Sequence, residues 1–206
     1  MAKEAIRKHL NDEEFAKLIK DLGKNADAIT RISKNPELIE AWKMLRDAGR
    51  SRLCKDINAI EALTKLRNNK NLSKLNITTN DILEISEDII TDLAKLKGFN
   101  GYSYVNILDD IDNFSNIVAN SSMNISNFNR VIGDIKKGGN FSDGAIWTMR
   151  YISKNADDFK NSTLIFEETL KVGENVRRVD VVCETGNKTR IFYEMKSVEG
   201  VVMFQS

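Results

Sequence analysis

The chain lacks most of the residues from which common catalytic centres are built. Its 206 residues include one histidine, His9, and two cysteines, Cys54 and Cys183. A single histidine removes most routes to a Ser-His-Asp triad, a Cys-His protease or a multi-histidine metal site. Two distant cysteines, in segments of different character, argue against a disulfide framework or a zinc site of paired cysteines. There is one proline, and no run approaches the roughly 20 apolar residues that span a bilayer, so no membrane-spanning segment is expected. The N-terminal MAKEAIRKHLNDEEF is charged and amphipathic and has no apolar secretory core. Net charge is also missing. The 31 Lys and Arg nearly cancel the 30 Asp and Glu, so phosphate binding has to be local.

What is present is apolar content of 41%, enough to bury a core in one large domain or two small ones. The first part reads as helices. Asn35-Pro36 marks a start, Leu38, Trp42 and Leu45 follow at helical spacing, and Gly49 stops the run. Ile60, Leu63 and Leu66 share one face of a second helix, Ile57 to Leu66, ended by Asn68-Asn69. Asn80 is placed to cap a third, with a stripe of Ile82, Ile85, Ile89, Leu93 and Leu96, Lys95 and Lys97 in the last turn and Gly98 beyond. The Asn- and Ser-rich stretch 113–129 predicts short helices joined by turns, ending at Gly138-Gly139. The acidic group Asp109, Asp110 and Asp112 lacks the glycine and distal glutamate of a calcium loop and reads as a helix start. Trp42 and Trp147 read as core residues, His9 as a surface residue and Cys183 as a small buried hydrophobe.

After the glycines the texture changes. Ser142-Asp143 predicts a helix start, with Ala145, Ile146, Met149 and Ile152 on one face. Three runs rich in β-branched and aromatic residues follow, 162–170, 176–184 and 189–196, separated by Val172-Gly173-Glu174-Asn175 and Thr185-Gly186-Asn187-Lys188. The expected fold is α+β. An N-terminal helical region, 1–139, precedes a segment, 140–206, made of one helix and a three-stranded antiparallel meander.

The chemistry concentrates in that segment. Asp180 interrupts the apolar run RRVDVV, a costly position unless a partner or cation compensates. In FYEMKS, alternation aims Glu194 and Lys196 at one face, and hairpin pairing can bring Asp180 beside them. Either Glu167 or Glu168 can add a third acid, with Glu168 slightly favoured. Converging carboxylates suit Mg2+ or Mn2+, which lowers the pKa of a bound water, while Lys196 orients that water or stabilises phosphorane oxygens. Arg177, Arg178, Lys188 and Arg190 are placed to contact nucleic-acid phosphates.

Asp180 followed by Glu194-Met195-Lys196 resembles the D…(D/E)-x-K signature of the PD-(D/E)xK, or restriction-endonuclease-like, nuclease superfamily. Asp134-Ile135-Lys136 and Asp158-Phe159-Lys160 fit the same short pattern, but only Glu194 and Lys196 follow a strand-like run containing an Asp. The run from GAIWTMRYI through FEETL, RRVDVV and YEMKS resembles C-terminal nuclease toxins of polymorphic and contact-dependent inhibition systems. NPELIEAWKMLRDAGRSRL resembles helical segments preceding such toxins. The resemblance implies an endonuclease toxin that hydrolyses DNA or RNA with Mg2+ or Mn2+, secreted within a larger protein. It implies action in the target-cell cytoplasm and restraint in the producer by an immunity protein. The superfamily core continues with a helix and a strand, whereas ten residues follow Lys196, implying a core cut short, trimmed or completed by a partner. Two alternatives stand beside this reading. One is a non-enzymatic helical delivery module with a remnant nuclease-like end, and the other a free-standing repair or restriction nuclease.

Overall fold

The computed structural model describes residues 2–45, 50, 54–89, 103–172, 174–196 and 200–205, with the backbone alone at 79, 86–89, 139–140, 172, 195–196 and 200–205. The chain is α+β and divides into two compact units, Met1–Asn68 and Asn69–Ser206. The change of texture after residue 139 therefore falls inside the second unit, which holds helices as well as the sheet.

The first unit is helical: α1 (Ala2–Arg7), α2 (Asp12–Leu22), α3 (Ala26–Lys34), α4 (Glu37–Met44) and α5 (Ile57–Asn68). Its helix starts are built from asparagines. Asn11 and Glu14 form a reciprocal capping box, and Asn25 accepts from the Ala28 N–H at 3.0 Å. Asn35 accepts from the Glu37 N–H at 3.1 Å, ahead of the first-turn proline. Ile6, Leu18, Ile32, Leu38, Trp42, Ile60 and Leu66 are buried. The Trp42 indole donates to Asp21 at 3.3 Å and lies under the Arg50 guanidinium, 4.7 Å from its ring centroid. Gly49 lies outside the described residues.

In the second unit a 3-10 turn, Lys70–Leu75, is followed by α6 (Thr79–Ile89), α7 (Tyr104–Asn120), β1 (Asn124–Ser126), α8 (Phe128–Lys137) and α9 (Gly139–Lys154). A 3-10 turn at Ala156–Phe159 leads into β2 (Thr163–Val172), β3 (Asn175–Glu184), β4 (Arg190–Lys196) and β5 (Gly200–Gln205). The sheet order is β1-β2-β3-β4-β5, with β1 parallel to β2 and the other pairs antiparallel. The expected three-strand meander is thus flanked by a strand on each side.

Several local expectations differ from the structure. The cap of α6 is Thr78, which exchanges hydrogen bonds with Asp81, rather than Asn80. The positions 93–98 lie outside the described residues. The Asn- and Ser-rich stretch contributes the end of one 17-residue helix, α7, because burial of Ile111, Phe114 and Val118 outweighs the poor helix propensity of Asn and Ser. Asp109, Asp110 and Asp112 lie within that helix rather than at its start, and Asp112 is buried, receiving a hydrogen bond from Asn69 at 2.7 Å. Helix α9 begins at Gly139, so Ser142 and Asp143 lie inside it and are buried. Trp147 is 44% exposed and not a core residue.

Two aromatic groups tie helices to sheet. Phe114 of α7 stacks on Phe128 of α8 at 5.3 Å, and both meet Phe166 of β2 edge-on. Phe159 packs 5.4 Å from Tyr193 of β4, beside Tyr151 of α9.

Candidate functional site

The ladder between β2 and β3 pairs Phe166 with Val181 and Glu168 with Val179 and skips the residues between them, Glu167 and Asp180, whose charges act on one another. The ladder between β3 and β4 ends at Val181 paired with Tyr193. Asp180 and Glu194 are the first residues beyond it, where β3 stays with β2 and β4 stays with β5. They stand at the fork of two strands, one residue from the apolar Val181–Tyr193 pair. Glu167, Asp180 and Glu194 therefore stand at neighbouring positions along three consecutive strands.

Glu167 is the most constrained member. It lies at φ 53 in mid strand, where left-handed backbone is unusual for a residue with a side chain, and it is 8% exposed. Burial pushes its carboxyl up; the Arg178 guanidinium opposes that, and the negative charges of Asp134 and Asp180 add to it, leaving the group above its usual range. Arg178 of β3 reaches both acids, donating from Nε to Glu167 and from Nη2 to Asp134 of α8. Lys137 also pairs with Asp134, and Arg130 of α8 donates to the Glu167 backbone carbonyl. A helix thus brings a fourth acid and two more cations to the site.

The other residues singled out in the sequence are spread around this site. Glu194 is bound by Arg177, whose Nε lies 2.8 Å from Oε1. Glu168 is bound by Arg190, which also approaches Glu184 at 3.7 Å. Three of the four basic residues assigned to phosphate are thereby engaged with carboxylates. Lys188 is exposed in the turn joining β3 and β4, closed by the Lys188 N–H to Thr185 carbonyl bond at 2.8 Å. The left-handed residue of that turn is Lys188 itself, at φ 61. Lys196 ends β4, two steps from Glu194, and its side chain lies outside the described residues.

Asp134 and Arg130 were not singled out as site residues in the sequence, because what recruits them is contact between α8 and β2, remote in sequence. The only local hint was Asp134-Ile135-Lys136, one of three acid-x-Lys triplets.

Among the described residues no group of three or more His, Cys, Asp or Glu gathers as a metal site. A magnesium-like ion needs fewer protein ligands, since it keeps several waters and is commonly held by one or two carboxylates plus substrate phosphate. Asp180 and Glu194 at the strand fork fit that requirement in donor type. The chain matches no family model, no curated protein and no solved structure.

Proposed function

We propose that this chain is a metal-dependent nuclease, of the toxin kind its sequence resembles, cutting DNA or RNA at the fork between β3 and β4. The observation that carries the proposal is the placing of Asp180 and Glu194 just beyond the end of the β3–β4 ladder, with Glu167 on the next strand and Arg178 as its counter-charge. Carboxylates set at neighbouring positions of a sheet are costly to keep without compensation. Retaining them at the end of a ladder has a chemical rationale if they hold a cation.

Asp180 and Glu194 would hold Mg2+ or Mn2+, whose chemistry when bound is to lower the pKa of a water and to offset charge on the phosphate. Lys196, two residues from Glu194 on β4, would orient the attacking water or stabilise the phosphorane oxygens. Glu167, held by Arg178, lies next to these residues as a further carboxyl group. Immunity protein, delivery within a larger toxin and action in the target cell belong to the same proposal.

The test is cleavage of plasmid DNA and of total RNA by the full chain with Mg2+, Mn2+ or Zn2+. We expect cleavage that EDTA abolishes and that falls at least about 100-fold in Asp180→Ala and Glu194→Ala, the scale of losing groups that act in the transition state. Failure to cut either nucleic acid with every metal, by protein shown to be folded, contradicts the proposal.

A further inference from the structure

Beside Glu167 lies a cleft of about 330 Å3, lined by Arg130, Gly133, Asp134 and Lys137 of α8 and by Thr169 and Arg178 of β2 and β3. Its charges do not cancel. Arg178 is shared between Asp134 and Glu167, and Lys137 pairs with the same Asp134. Arg130 instead donates to a neutral acceptor, the Glu167 carbonyl. Three cations thus face two carboxylates. In a chain with formal net charge +1, this is a local positive field with a wall and a floor.

The walls are suited to an anion carrying several oxygens. Two guanidinium groups and an ammonium offer directed donors, and the exposed Thr169 hydroxyl adds another. Gly133 leaves its side of the helix open, since a Cβ built there meets nothing within 4 Å. Glu167 joins the cleft to the strand fork, its carboxylate meeting Arg178, its carbonyl meeting Arg130, and Asp180 acting on it electrostatically.

We propose that this cleft binds a phosphate group of a nucleic-acid strand, next to the phosphate that would be cut. The identity of the strand rests on the nuclease reading; the anion site itself rests on the cleft. An anion there competes with Asp134 and Glu167 for Arg178 and so draws that guanidinium off the acids.

The test measures binding apart from cleavage. Fluorescence anisotropy would follow short labelled DNA and RNA single strands against the full-length Asp180→Asn chain in EDTA. The Arg130→Ala/Lys137→Ala pair and Gly133→Glu are expected to weaken binding about tenfold or more and to flatten its salt dependence, as loss of phosphate contacts does. Gly133→Ala, which improves helix propensity and leaves the cleft open, should bind as its parent does. Inorganic phosphate serves as competitor. If the strand does not bind, if neither cleft variant weakens it, or if inorganic phosphate binds as well as the strand, the proposal is overturned. Cleavage by wild type with binding indifferent to the cleft variants removes this site alone. Binding that depends on the cleft without any cleavage removes the nuclease reading alone.

Discussion

Arg178 donates through Nε to the carboxylate of Glu167, a residue that holds a left-handed backbone in the middle of an antiparallel strand. The strain and the ion pair coincide at one residue, and they can be separated by substitution. Glu167→Ala and Glu167→Gly both remove the ion pair, but only glycine adopts φ near 53 without steric penalty. The glycine variant should be the more stable of the two by about 1 kcal/mol in urea unfolding. Equal stability, or a more stable alanine variant, would show that the left-handed backbone is not kept.

The raised carboxyl of Glu167 has a pH signature. Because its folded value lies above the usual value of 4.5, the folded state binds the proton more tightly than the unfolded chain does. The contribution is full below about 4.5 and is lost as pH rises through the folded value. Asp143, raised by burial, acts in the same direction from its usual value of 3.8. Comparing wild type with Glu167→Gln by unfolding at a series of pH values isolates the first group. Wild type should lose stability relative to the variant as pH climbs above 4.5, and an opposite trend would mean that the Arg178 pairing dominates.

The aromatic group at Phe114 and the two tryptophans test the packing. Phe114→Ala removes a fully buried ring that stacks on Phe128 and abuts Phe166, so a loss of about 3–5 kcal/mol is expected. Trp42→Ala should cost a similar amount, since its side chain is buried, donates to Asp21 of α2 and lies under Arg50. Trp147→Ala, at an exposed position, should cost less than about 1 kcal/mol. Chemical denaturation of the three variants checks this order.

Residue periodicity made the secondary structure of β2, β3 and β4 legible, along with α4 and α5, because alternation and helical spacing are local signals. It did not reveal β1, whose three residues Asn124–Ser126 are held by parallel pairing with Thr163–Ile165. It misplaced Trp147, since an apolar residue adjoining the buried Ile146 and Met149 stripe in sequence reads the same whether it is covered or not. In the site, Asp180 and Glu194 stood out because a charged residue in a β run is conspicuous. Between Glu167 and Glu168 the sequence leaned to Glu168, but alternation depends on regular backbone, and the left-handed turn at Glu167 is invisible in the residue types. Asp134 and Arg130 could not be read at all, because only the packing of α8 on the sheet brings them to the site.

The most direct test of the central claim is a calorimetric titration of the full chain with Mn2+, beside Asp180→Ala and Glu194→Ala variants shown by circular dichroism to be folded. The account predicts saturable binding near one ion per chain, lost or weakened by about tenfold or more in each variant. Binding that persists unchanged in both variants, or no binding by wild type, would contradict it.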